Sequence, residues 1–243
     1  VGKKRAYHQI LAEYYEAKAT GKKNFAYLPM TIHHYEKCHN LVKVYQYKIA
    51  YLKEYYTIVN ENFPVLHWEM EYGDDNQELS FHADEILRLA EEVLRFEGDS
   101  HQLQEMKMEM YYVKGRFDIA IGEYETGLAN IKASESLAET LNDNKARLNN
   151  YKQMIFYGIQ IENLLLVKKY VKEGMKLIDE TDTDEKGIFM RLKGWYLLHE
   201  GRYEEARALL TQAREFFENR DGGSGQYAMN IAACYKYIGD VCR

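Results

Sequence analysis

Proline occurs only 2 times in 243 residues, where an average usage of about 5% would give about 12. That scarcity constrains the fold more than any other feature. Proline is the residue that most reliably breaks a helix. With so few breakers, 22 tyrosines and 16 glycines, the sequence predicts helix after helix joined by short loops. Apolar residues make up 46% of the chain, enough for a sizeable core in one or two domains.

No apolar run approaches the ~18 residues of a membrane span, and no apolar stretch follows the basic start Lys3, Lys4, Arg5 to make a secretory signal. The expected compartment is the cytoplasm, with no membrane partner. Cys38, Cys234 and Cys242 are odd in number and lack metal-ligand spacing, which excludes a disulfide framework. The chain starts at Val1, and Tyr237–Arg243 stops inside an amphipathic pattern; both are read as marks of a segment cut from a longer protein.

The net charge of -6 is unevenly spread. Residues 1–60 hold ten Lys/Arg against four Asp/Glu, residues 61–143 six against twenty, and residues 144–243 sixteen against fourteen. The most basic stretch carries its tyrosines at helical positions, so direct nucleic-acid contact by this segment is not expected. The acidic block reads as a solvated surface.

Internal repetition sets the architecture. Lys114–Ala120 and Glu200–Ala206 share Gly, Arg, an aromatic, an acid and Ala at the same offsets, 86 residues apart. Between them, Tyr170–Ile178 follows the pattern of Tyr124–Ile131, so a third unit fits at a period of about 43 residues. In paired antiparallel helices a small residue lets backbones approach, a glycine ends the first helix left-handed, and an aromatic plugs the corner. Gly194, Gly201, Tyr203, Ala206, Leu210 and Ala213 supply these roles. Their spacing resembles the tetratricopeptide repeat, best over 187–218, well over 101–131 and more weakly over 148–178, where Gly158 or Asn163 is the expected turn. Lys193 stands at a usually apolar position and no proline closes a repeat.

The expected fold is therefore all-α, a right-handed superhelix of tetratricopeptide-like helix-turn-helix repeats. A helical segment over 1–62 would join an upstream domain, and repeats would fill 63–243. Helices are expected at 1–19, 24–38, 41–62, 64–72, 78–97, 101–114, 117–136, 144–160, 163–180, 184–200, 203–219 and 226–243. Ser80, Ser100, Asn142 and the Asp182 to Glu185 pair read as helix starts.

Lys4–Glu16, followed after a polar gap by Ile32–Tyr45 (Ile-His-His-Tyr-Glu-Lys-Cys-His-Asn-Leu-Val-Lys-Val-Tyr), resembles the stretch after the nucleotide-binding core of large bacterial signal-transduction ATPases. That family includes LuxR-type and SARP-type transcriptional activators and related adenylate cyclases. The resemblance implies a sensor and partner-docking arm of a multidomain transcriptional regulator. A free-standing tetratricopeptide scaffold or peptide receptor, with no ATPase domain, is the alternative.

Catalytic constellations do not stand out. His33, His34, Cys38 and His39 are the nearest approach to a metal site. His34 and Cys38 share a helix face, but no third and fourth ligand can be named, so packing and surface imidazoles are the better account. Asp221–Gly225 lacks the lysine and strand of a phosphate loop, and Glu91-Glu92 and Asp74-Asp75 point apart as solvated faces. No catalytic residue, metal or cofactor is expected. Most tyrosines, with Trp68 and Trp195, read as packing.

Equivalent positions of successive repeats line a row along the inner surface of such a fold. With the 86-residue register, one row runs Glu105, Lys152, Arg191, Lys236, and the next Glu109, Phe156, Trp195, Asp240. Lys152, Phe156, Arg191, Trp195 and Lys236 are the expected binding groove, with Arg191 exposed and able to grip a carboxylate. The expected partner is a protein or peptide; a small anionic ligand and a homodimer are the other candidates.

Overall fold

The computed structural model describes residues 2–19, 27–60, 76–178 and 183–242, apart from the side chains of 54–60, 76–83 and 183. Every regular element among them is helical: α1 (Gly2–Ala19), α2 (Leu28–Lys37), α3 (Leu41–Asn60), α4 (Asn76–Leu94), α5 (His101–Ala120), α6 (Tyr124–Thr140), α7 (Asn144–Gln160), α8 (Leu164–Leu177), α9 (Thr183–His199), α10 (Tyr203–Asp221) and α11 (Ala228–Val241). Consecutive helices pack on one another in pairs, α5 on α6, α7 on α8 and α9 on α10.

The starts follow from capping chemistry. The Ser100 hydroxyl accepts from the Leu103 amide, the Asp143 carboxylate from Ala146, and the Asn163 side chain from Leu166, each satisfying an amide with no partner inside its helix. Asn142, expected as a cap, instead holds the left-handed turn before Asp143 at φ 56. Ser80 falls within α4 rather than at its start. The expected helix 64–72, Trp68 and Asp182 lie outside the described residues, as does most of the expected junction at 62 and 63.

The stops share one geometry. Gly122, Glu162 and Gly201 are left-handed at φ 91, 55 and 76, and they close α5, α7 and α9 at intervals of 40 and 39 residues. In each, the next amide reaches back five residues: Glu123 to the Asp118 carbonyl at 2.8 Å, Asn163 to Gly158 at 2.7 Å, and Arg202 to Leu197 at 3.0 Å. These are Schellman closures. His39 makes a fourth, φ 61, with Asn40 donating to Tyr35 at 3.0 Å.

This geometry corrects the helix limits. Residues 101–114 and 117–136 were expected as separate helices broken at Gly115, yet α5 runs unbroken through Gly115 to Ala120. Gly115 is a packing glycine: a methyl there would lie 2.9 Å from the Gly127 carbonyl of α6. Gly194 holds the corresponding place in α9, seven residues before its turn, with Leu210 of α10 against it. The counterpart of Gly201-Arg202-Tyr203 is therefore Gly122-Glu123-Tyr124, not the run around Gly115.

The chain forms two compact units, α1–α6 and α7–α11. In the first, Ile49 and Leu52 of α3, Ile86, Leu89 and Val93 of α4, and Met110 and Val113 of α5 make one core. Ala12, Tyr35, Cys38 and Val44 make a smaller one that fastens α1. In the second, Ala213, Phe217, Tyr227 and Cys234 pack α10 and α11 together.

Candidate functional site

Within the second unit, the end of α7, its closing turn, the start of α8, and α9 and α11 line an open cavity of about 660 Å³ through Ile159, Glu162, Leu164, Trp195, His199, Lys236, Tyr237 and Asp240. Its position follows from the turns. The Schellman closure after α7 aims Glu162 and Leu164 at the wall, while α9 presents Trp195 and His199 one turn apart. Their rings lie 4.1 Å apart between centroids. Two turns of α11 supply Lys236, Tyr237 and Asp240.

The electrostatics of this wall are uneven. Partial desolvation lowers the pKa of the His199 imidazole, against the pull of Asp240. Burial likewise pushes the Tyr237 phenol up to about 12 and the Cys234 thiol up to about 11. Lys236 and Asp240 are one turn apart with opposite charge, yet neither forms an ion pair among the described residues, with each other or with anything else.

Of the expected groove, Trp195 and Lys236 meet on this cavity. Lys152 is engaged elsewhere, donating to Glu185 at 2.8 Å, and Phe156 is half-buried outside the lining. Arg191 departs most from expectation. It was expected exposed and is only 6% exposed. The side chain extends from α9 toward Cys234 and Tyr237 of α11, and desolvation lowers its pKa. It makes no hydrogen bond or ion pair among the described residues, and its Nε is shielded without a partner.

The row register also changes. Counting back from the left-handed residues keeps Lys152 level with Arg191 and Phe156 level with Trp195, but the first-unit counterparts become Tyr112 and Arg116 in place of Glu105 and Glu109. Arg116 lies over the Tyr112 ring at 5.5 Å. Glu109 pairs with Lys53 at 2.6 Å and Glu105 with His101 at 3.4 Å.

Sequence reasoning missed Glu162, His199 and Tyr237. His199 was legible as the residue one helical turn after Trp195 and Tyr237 as the neighbour of Lys236. Glu162 required the turn register.

The histidine cluster is a packing device. His34 is buried with its Nδ1 2.9 Å from that of His8, its ring stacked on Tyr15, and the Cys38 thiol donates to Gln9 Oε1 at 3.2 Å. Among the described residues no group of three or more His, Cys, Asp or Glu is placed to hold a metal ion, and no helix is long and apolar enough to cross a membrane. No family model, curated protein or solved structure matches the chain.

Proposed function

We propose that this chain is a ligand- or protein-binding regulatory module of a larger transcriptional regulator, built as a tetratricopeptide-like superhelix. The observation that carries this reading is the cavity of the second unit, where Trp195 and Lys236 meet with Tyr237 and Asp240. An aromatic floor with a few convergent polar groups is the usual make-up of a binding site. The recurrence of left-handed turns at 40 and 39 residues supports the repeat reading. It also shortens the interval from the 43 expected. The resemblance of residues 4–45 to the segment following a regulatory ATPase core supplies the context in which a bound ligand would bias an upstream domain.

A photocrosslinking residue in place of Lys236, in the full-length protein inside its own cells, tests this. The expected result is a discrete adduct that disappears when Trp195→Ala is added. Adducts at the exposed tyrosines Tyr203 and Tyr235, with none at position 236, would move the binding surface elsewhere.

A further inference from the structure

Three observations about the second unit fit together. First, Arg191 is only 6% exposed and its Nε is buried without a partner. Burying a cation without a counter-ion is costly, and among the described residues the groups facing Arg191 are Cys234 and Tyr237, with no carboxylate. Its field falls on Tyr237, which is both its neighbour and part of the cavity wall.

Second, Lys236 and Asp240 stand on adjacent turns of α11 without pairing. Side chains four residues apart have Cβ atoms about 5–6 Å apart, a separation that lets two opposite charges grip one small molecule with its own charges on neighbouring atoms.

Third, Glu162 occupies a strained place. Its counterparts at the ends of α5 and α9 are Gly122 and Gly201, and a non-glycine residue at φ 55 carries a backbone penalty. The chain keeps a carboxylate there, on the cavity wall.

The cavity wall thus carries one cation, Lys236, beside Tyr237, which neighbours Arg191 behind the wall. It also carries two carboxylates, Asp240 and Glu162, and the apolar side chains of Ile159, Leu164 and Trp195. We propose that it binds a free α-amino acid with an apolar side chain: carboxylate against Lys236, ammonium against Asp240 and Glu162, side chain against Trp195. This deepens the binding-module reading and rests on it for the location of the site. A dianion would meet Asp240 and Glu162, and a simple amine would leave Lys236 unanswered. A peptide presents its ammonium and its carboxylate at opposite ends and fills one end of the cavity only.

Calorimetric titration and thermal melts of the full chain with each proteinogenic L-amino acid at millimolar concentration test the proposal. At least one apolar amino acid is expected to bind and raise the melting temperature. Its decarboxylated amine, its deaminated acid and its dipeptides are each expected to bind at least about tenfold more weakly, since each loses a charged hydrogen-bonding group. Arg191→Met is expected to raise the melting temperature of the unliganded chain while weakening the amino acid by about tenfold. A merely structural arginine would not give that combination. Glu162→Gly should likewise stabilise the free chain and weaken binding. If no amino acid binds, or if the deaminated acid binds as tightly as its parent, the proposal fails. A partner captured at position 236 alongside that failure would leave the binding-module reading standing.

Discussion

At the scale of single residues, the molecule turns on which glycines serve packing and which serve turns. At Gly194 a methyl would lie 2.6 Å from Leu210 Cγ, so Gly194→Leu must push α9 off α10. The expected cost is about 1–3 kcal/mol or more, read as a lower urea midpoint at unchanged slope; a variant melting with the parent would mean that the two helices are not in this contact. The small role of Gly194 was legible because its neighbours at the turn and in α10 all fit one pattern. The burial of Arg191 was not. A charged residue is expected outside unless it is paired, and nothing in a linear sequence marks the exception. Trp195 and Lys236 line the cavity of the second unit as the groove expectation grouped them, whereas Arg191 is buried outside its lining.

At the scale of elements, α1 is held to α2 and α3 by polar groups as much as by apolar ones. Glu16 accepts hydrogen bonds from Tyr35, from Tyr47 at 2.6 Å and from Lys43 at 2.8 Å. Burial works against its charge, but those three donors outweigh it and hold the carboxyl below the usual glutamate range. Burial, with the charges of His33 and His8, likewise depresses His34. Both groups bind protons more readily when unfolded, so both favour the folded state at higher pH. The His34 contribution is present above the ordinary imidazole value of about 6.5 and is lost as pH falls toward its depressed one; that of Glu16 is present above about 4.3 and lost below. Melting temperatures are expected to fall in two stages on acidification. His34→Phe, which keeps a ring on Tyr15, should shrink the upper stage, to which the depressed His199 also contributes, and Glu16→Gln should shrink the lower. A single stage unaffected by His34→Phe would count against the account.

The same scale explains the misplaced helix limits. Lys114–Ala120 shares Gly, Arg, an aromatic, an acid and Ala with Glu200–Ala206, but glycine has two uses, close approach and positive φ, and the match set one use against the other. The third turn was expected at Gly158 or Asn163, and those two residues do close it with the Asn163 amide on the Gly158 carbonyl, but the left-handed residue is Glu162, whose backbone does what glycine does without being glycine.

At the scale of the whole molecule, scarce proline did forecast the outcome: helices throughout the described residues, joined mostly by links of a few residues. Their core faces were legible where a small residue marked a close contact. The two units part at residue 141, beside the end of the acidic stretch at 143.

Those short links bear on how the chain reaches its structure. When each helix docks mainly on the one just before it, the contacts that stabilise the product join residues close in sequence. Such chains fold quickly, in microseconds to milliseconds, because little loop entropy must be lost before contacts form. The pair α9–α10 is closed by a turn of a few residues around Gly201, so on a ribosome it can form once its own residues have emerged. Lengthening that turn with a flexible glycine-serine insert should slow the formation of this pair while leaving α7–α8 unchanged, as pulse-labelled hydrogen exchange during refolding would report. Equal slowing of both pairs would show that they form in one concerted step, and that the turns punctuate the sequence without timing its assembly.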